Sequence, residues 1–70
     1  MTLKEWVKQG RRAQRIHELS IALGCTRQFV YGVLHGKYNL TPKNTSIVCK
    51  VTGLSLREVN PKLADDLGAN

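Results

Sequence analysis

Apolar residues along the chain recur with helical spacing, in short runs bracketed by a capping hydroxyl and a glycine. Thr2 precedes Leu3, Trp6 and Val7, spaced i, i+3, i+4, and Gly10 is expected to close this first helix as a left-handed cap. A second run starts near Arg12, carries Ile16, Leu19 and Leu23 on one face, and stops at Gly24. Thr26 caps a third helix that turns Val30, Val33 and Leu34 inward and ends at Gly36. Propensity alone would make Phe29 to Val33 a strand, but the cap, the stop and the apolar spacing agree on a helix. After a loop from Lys37 to Leu40, Thr41 and Pro42 start a fourth helix, with Ile47, Val48 and Val51 facing inward and Gly53 at its end. Ser55 and Glu58 form a capping-box pair that opens a fifth helix, which must stop before Pro61. The pattern predicts an all-α fold of five short helices: one domain over 1–63 and a frayed tail over 64–70.

Seventy residues hold one small core, and a hydrophobic share of 41% against 23% charged residues fits a globular domain rather than a disordered chain. Eleven Lys and Arg against five Asp and Glu give a net charge of +6. The distribution is uneven. Residues 1–50 hold nine cations against two anions, whereas residues 51–70 hold two against three. A basic body with a mildly acidic tail points to a polyanionic partner, nucleic acid being the commonest.

The segment from Ile16 to His35 has a more specific spacing. Its two helices are joined through Leu23-Gly24-Cys25-Thr26, with small Ser20 where they would cross and Gly24 in the turn. Leu19, Leu23, Cys25, Val30 and Val33 stand where apolar residues would lock the pair together. This is the helix-turn-helix arrangement, with the motif at about 16–35.

These residues carry a resemblance. The turn segment L-G-C-T-R-Q-F-V resembles the L-G-V-S-x-x-x-V of the small phage Cro-type repressors, and more narrowly of the YdaS-like group of phage-derived regulators or antitoxins. Thr41-Pro42 through Val51-Thr52-Gly53 is similar to that family's S-P-x(9)-T-G, and Val59-Asn60-Pro61-Lys62-Leu63 to its L-R-P-D-L. Two departures stand out. Arg11 to Gln14 looks like an insert, and Ile16 stands where the family often has a phosphate-contacting glutamine, a contact that Arg12 or Arg15 would have to replace. The resemblance implies a lambda-repressor-like domain acting as a phage or prophage transcriptional repressor. It also implies a dimer on a pseudo-palindromic operator, with the third helix entering the major groove N-terminal end foremost.

A helical wheel centred on Val30, Val33 and Leu34 leaves Gln28, Tyr31, Gly32 and His35 facing away from the core, with Arg27 in the first turn. Arginine pairs bidentately with guanine and glutamine with adenine, so Arg27 and Gln28 are the expected base readers. Thr26 offers a methyl and a hydroxyl to a thymine or a phosphate, and Gly32 would let the backbone approach DNA closely. Tyr31 reads either as a groove contact or as packing over Leu34 or Lys37. Phe29 reads as packing, and His35 as a complement to the helix dipole. Expected phosphate contacts are Arg11, Arg12 and Arg15, then Lys37 and Asn39, then Lys43 and Asn44 on the anion-binding first turn after Thr41.

Other chemistries find little support. His17, Cys25, His35 and Cys49 are the only soft ligands and show no zinc spacing, so neither a metal nor another cofactor is expected. No nucleophile with an oriented base and no glycine-rich phosphate loop is evident, so no enzyme is expected. RNA binding is disfavoured because no aromatic stacking platform is evident. The absence of a leader or a membrane span makes the bacterial cytosol, at the nucleoid, the expected location. The alternative from a different class is an antitoxin or protein-interaction module that neutralises a toxin or other partner through its C-terminal segment. The apolar residues from Leu54 to Leu63 could form a dimer seam or fold back on the domain.

Overall fold

A computed structural model describes residues 1–68. They form six helices in the order α1 Leu3–Gln9, α2 Arg12–Leu23, α3 Arg27–Leu34, α4 Pro42–Thr52, α5 Leu56–Val59 and α6 Pro61–Asp66, with no strand among the described residues.

Most helix starts are fixed by side-chain caps. Thr2, Thr26, Thr41 and Ser55 each accept a hydrogen bond at 3.2 Å from the backbone N–H three residues on. At Thr2 and Ser55 the bond is reciprocal, because Glu5 and Glu58 accept from the capping residues' own N–H groups at 2.9 and 3.0 Å. Each cap satisfies a donor that the helix leaves without a partner, a contribution of about 1 kcal/mol. Helix α2 starts at Arg11 without a side-chain cap. Gly24 and Gly53 close α2 and α4 in the left-handed region, with φ of 66° and 74°. Gly10 does not, contrary to expectation: its φ of −119° and ψ of −159° are extended. Helix α3 ends at Leu34, two residues ahead of Gly36.

The core is built by Leu3 and Val7 from α1, Ile16 and Leu19 from α2, Val30 from α3, Leu40 from the following loop and Val48 from α4. On α4 the inward residue is Thr45 rather than Val51, which is 42% exposed. Thr45 is wholly buried, and its hydroxyl donates to Thr41 O at 2.8 Å and accepts from Asn60 Nδ2 at 3.1 Å. A hydroxyl satisfied twice costs little to bury, so the helix turns the Thr45–Val48 side inward.

Six helices replace the expected five because the chain does not stop at Pro61. Asn60 is non-helical, with φ of −144° and ψ of 79°, and its Oδ1 accepts from Leu63 N at 3.2 Å. Proline restricts only the residue before it, so one non-helical residue satisfies both constraints and Pro61 becomes the first residue of α6. Ala64 on this helix is wholly buried, so 64–66 belong to the body rather than to a frayed tail. The fraying expected for residues 69 and 70 lies outside the described residues. Leu54 and Val59 pack against the core, so the segment from Leu54 folds back on the domain. Arg57 pairs with Asp65 at 2.9 Å, and the Met1 amino group donates to Glu58.

Candidate nucleic-acid interface

Helices α2 and α3 are joined by three residues, Gly24, Cys25 and Thr26. Gly24 N donates to Ile21 O and Cys25 N to Ser20 O, so the turn consumes the last carbonyls of α2. Ser20 is buried, with its hydroxyl donating to the His17 carbonyl at 2.7 Å, and adds no bulk beside α3. Leu23, Cys25 and Val33 close the seam around buried Leu19 and Val30. Burial raises the Cys25 thiol above its ordinary range, and does the same to Cys49, so both stay protonated near neutrality.

This seam fixes the outward face of α3. Arg27, Gln28, Tyr31 and His35 are exposed, as is Thr26 at the cap. The Arg12 guanidinium stands over the Tyr31 ring, 5.5 Å from its centroid. The expectation for Gly32 fails. It is buried, and a Cβ there would stand 2.3 Å from Tyr38 Cδ2 and 2.5 Å from Cε2. The loop brings this ring back because Lys37 N and Tyr38 N both donate to Gly32 O, at 2.7 and 3.3 Å, around Gly36 with φ of 79°. What closely approaches this glycine is the protein's own tyrosine.

Tyr38 also stacks on Phe29, with centroids 5.3 Å apart and planes 13° from parallel. The Lys37 ammonium stands 5.5 Å from the centroid of Tyr38. An aromatic platform therefore exists where none was expected. Thr26, Gln28, Phe29, Gly32, Lys37 and Tyr38 together line an open cleft of about 570 Å³. Two pairs of cation and aromatic ring, Arg12 with Tyr31 and Lys37 with Tyr38, thus involve residues on α3 or in the loop that returns over it.

The expected phosphate-contacting residues divide. Arg11, Arg12, Lys37 and Asn39 are exposed, as is Lys43 in the first turn of α4, while Asn44 is half-buried with its N–H committed to Thr41. Asn39 lies apart from the cleft, in a neighbouring hollow that it shares with Asn60 and Lys62. Arg15 is reassigned. Its guanidinium donates to the Trp6 carbonyl and lies 4.2 Å from the centroid of the Trp6 ring, folded down beside Gly10. It is an inter-helix clamp between α1 and α2. Arg11, Arg12, Arg27, Lys37 and Lys43 make no ion pair among the described residues, which leaves their charge available to an outside anion.

Among the described residues no group of three or more His, Cys, Asp and Glu could hold a metal ion, and no helix is long and apolar enough to cross a membrane. No protein-family model, curated protein or solved structure matches the chain.

Proposed function

We propose that this chain is a sequence-specific double-stranded DNA-binding regulator of the Cro-type helix-turn-helix kind, which occupies an operator and blocks transcription. The observation that supports it most is the first turn of α3, where Arg27 and Gln28 are exposed just past the Thr26 cap. On this reading α3 enters the major groove N-terminal end foremost, and the two side chains meet base edges. Arg11 and Arg12 on one side, and Lys37 and Lys43 on the other, meet the phosphates of the flanking backbone, aided by the N-terminus of α4. Arg15 takes no part, because its guanidinium is engaged at Trp6.

The test separates base readers from phosphate contacts. DNA from immediately upstream of the gene serves as the candidate operator, compared with random duplex in a gel shift. Gln28→Ala is expected to cost about 1–3 kcal/mol on the operator and almost nothing on random DNA. Lys43→Ala is expected to weaken both duplexes alike and to make the slope of log K against log[salt] shallower by about one. Equal loss on both duplexes with Gln28→Ala would show that α3 is not in the groove.

A further inference from the structure

We propose that the outward face of Tyr38 is a stacking site for one unpaired nucleobase, with the phosphate of that nucleotide held by Lys37. The site goes beyond the duplex-reading surface, because a base inside a duplex has no free face to offer. The argument begins with how the ring is held. Phe29 stacks on it at 5.3 Å and 13°, and Gly32 lies beneath it with no side chain to intervene. Phe29 is itself packed against the core, so the ring has a fixed support. Yet Tyr38 remains 43% exposed although Phe29 stacks on it. A planar ring fixed in place but partly exposed binds another ring with little loss of its own freedom.

The surroundings specify the ligand further. The Lys37 ammonium stands over the ring, 5.5 Å from its centroid, and would move to the phosphate as a base takes that face. Among the described residues no Asp or Glu lines the cleft, whose polar residues are Thr26, Gln28, Lys37 and Tyr38. An amide can both donate to and accept from a base edge, and an ammonium suits a phosphate. The cleft volume of about 570 Å³ falls within the range of small-molecule sites. An aromatic face beside a cation, without acidic groups, is how proteins hold single-stranded nucleic acid with little regard to sequence. Such a nucleotide could come from single-stranded DNA, from RNA, or from a base bulged out of a duplex.

The full chain is titrated with octathymidylate and with an octamer of the same charge whose nucleotides are all abasic. Octauridylate and a duplex with one bulged thymidine, beside its fully paired form, distinguish the sources. The expected result is roughly tenfold tighter binding of octathymidylate than of the abasic strand. Ring-current upfield shifts of the thymine methyl protons should accompany it. Tyr38→Ala and Tyr38→Leu should both remove that preference, the leucine variant keeping an apolar cover over Gly32, while Tyr38→Phe should keep it. Equal binding of the two octamers, no binding at millimolar strand, or an unchanged preference in a folded Tyr38→Leu variant overturns the proposal. Paired-duplex binding is measured in parallel, so failure of the duplex reading leaves these outcomes as they stand.

Discussion

At the scale of single residues, Gly32 and Tyr38 form one unit. Their separation in sequence hides this, because an ordinary helix gains about 1 kcal/mol when alanine replaces glycine. Here the added methyl would meet ring carbons at 2.3 and 2.5 Å, and overfilling a packed contact costs about 1–3 kcal/mol. Gly32→Ala is therefore expected to lower stability in urea denaturation by about 1 kcal/mol in the parent chain. In the Tyr38→Ala background the same substitution should stabilise instead, because the helix-propensity gain is then unopposed. Additive effects in this cycle would show that the ring does not rest on the glycine. The helical wheel puts Gly32 on the outward face, whereas the structure buries it. The wheel has no means of seeing that a tyrosine six positions on folds over it.

At the scale of helices, what was legible is what depends on near neighbours in the chain. Thr2, Thr26, Thr41 and Ser55 cap the helices expected of them, since a cap needs only a hydroxyl and an N–H three residues away. The same locality explains the exposed first turn of α3. What was missed depends on distant partners: Arg15 on Trp6, and Asn60 on Leu40 and Thr45. Asn60 caps α6 while its amide donates to Leu40 O at 3.3 Å and to Thr45 Oγ1 at 3.1 Å. It thereby ties α6 to the loop and helix that carry Asn39 and Lys43. Loss of a cap costs about 0.5–2 kcal/mol, and Asn60→Ala loses the cross-links as well, so a drop of about 2 kcal/mol is expected from thermal or urea unfolding. Asn60→Asp keeps the capping oxygen but not the donors and should recover only part of it. A parent-like stability in Asn60→Ala would mean that α6 is capped from elsewhere.

At the scale of the whole molecule, charge couples the N-terminus to α5. Glu58 is held down to about 2, first by the Met1 amino group and then by the Ser55 N–H and hydroxyl. The amino group is raised in turn, chiefly by its hydrogen bond to Glu58. A carboxylate depressed in the folded state contributes stability that is present above its ordinary value near 4.5 and lost as pH falls towards about 2. The raised amine has the opposite sign: its contribution is complete below its ordinary value of 8.0 and is lost as pH rises through the raised one. Melting temperature should therefore decline in both acid and alkali. Glu58→Gln is expected to flatten both limbs, and unchanged limbs in that variant would place the titration elsewhere. The pair is exposed and will weaken in salt. The uneven charge of the chain was readable from composition; which cations are exposed was not, because half-buried Arg15 contributes to the same count as exposed Arg12.

The Arg15 clamp has an optical consequence. Trp6 is the only tryptophan in the chain, and a guanidinium lies over its ring. Its emission therefore reports on the undocking of α1 from α2. Unfolding of the first helix and occupation of the α3 face can thus be followed in a single cuvette, by indole fluorescence for the one and by a labelled strand for the other.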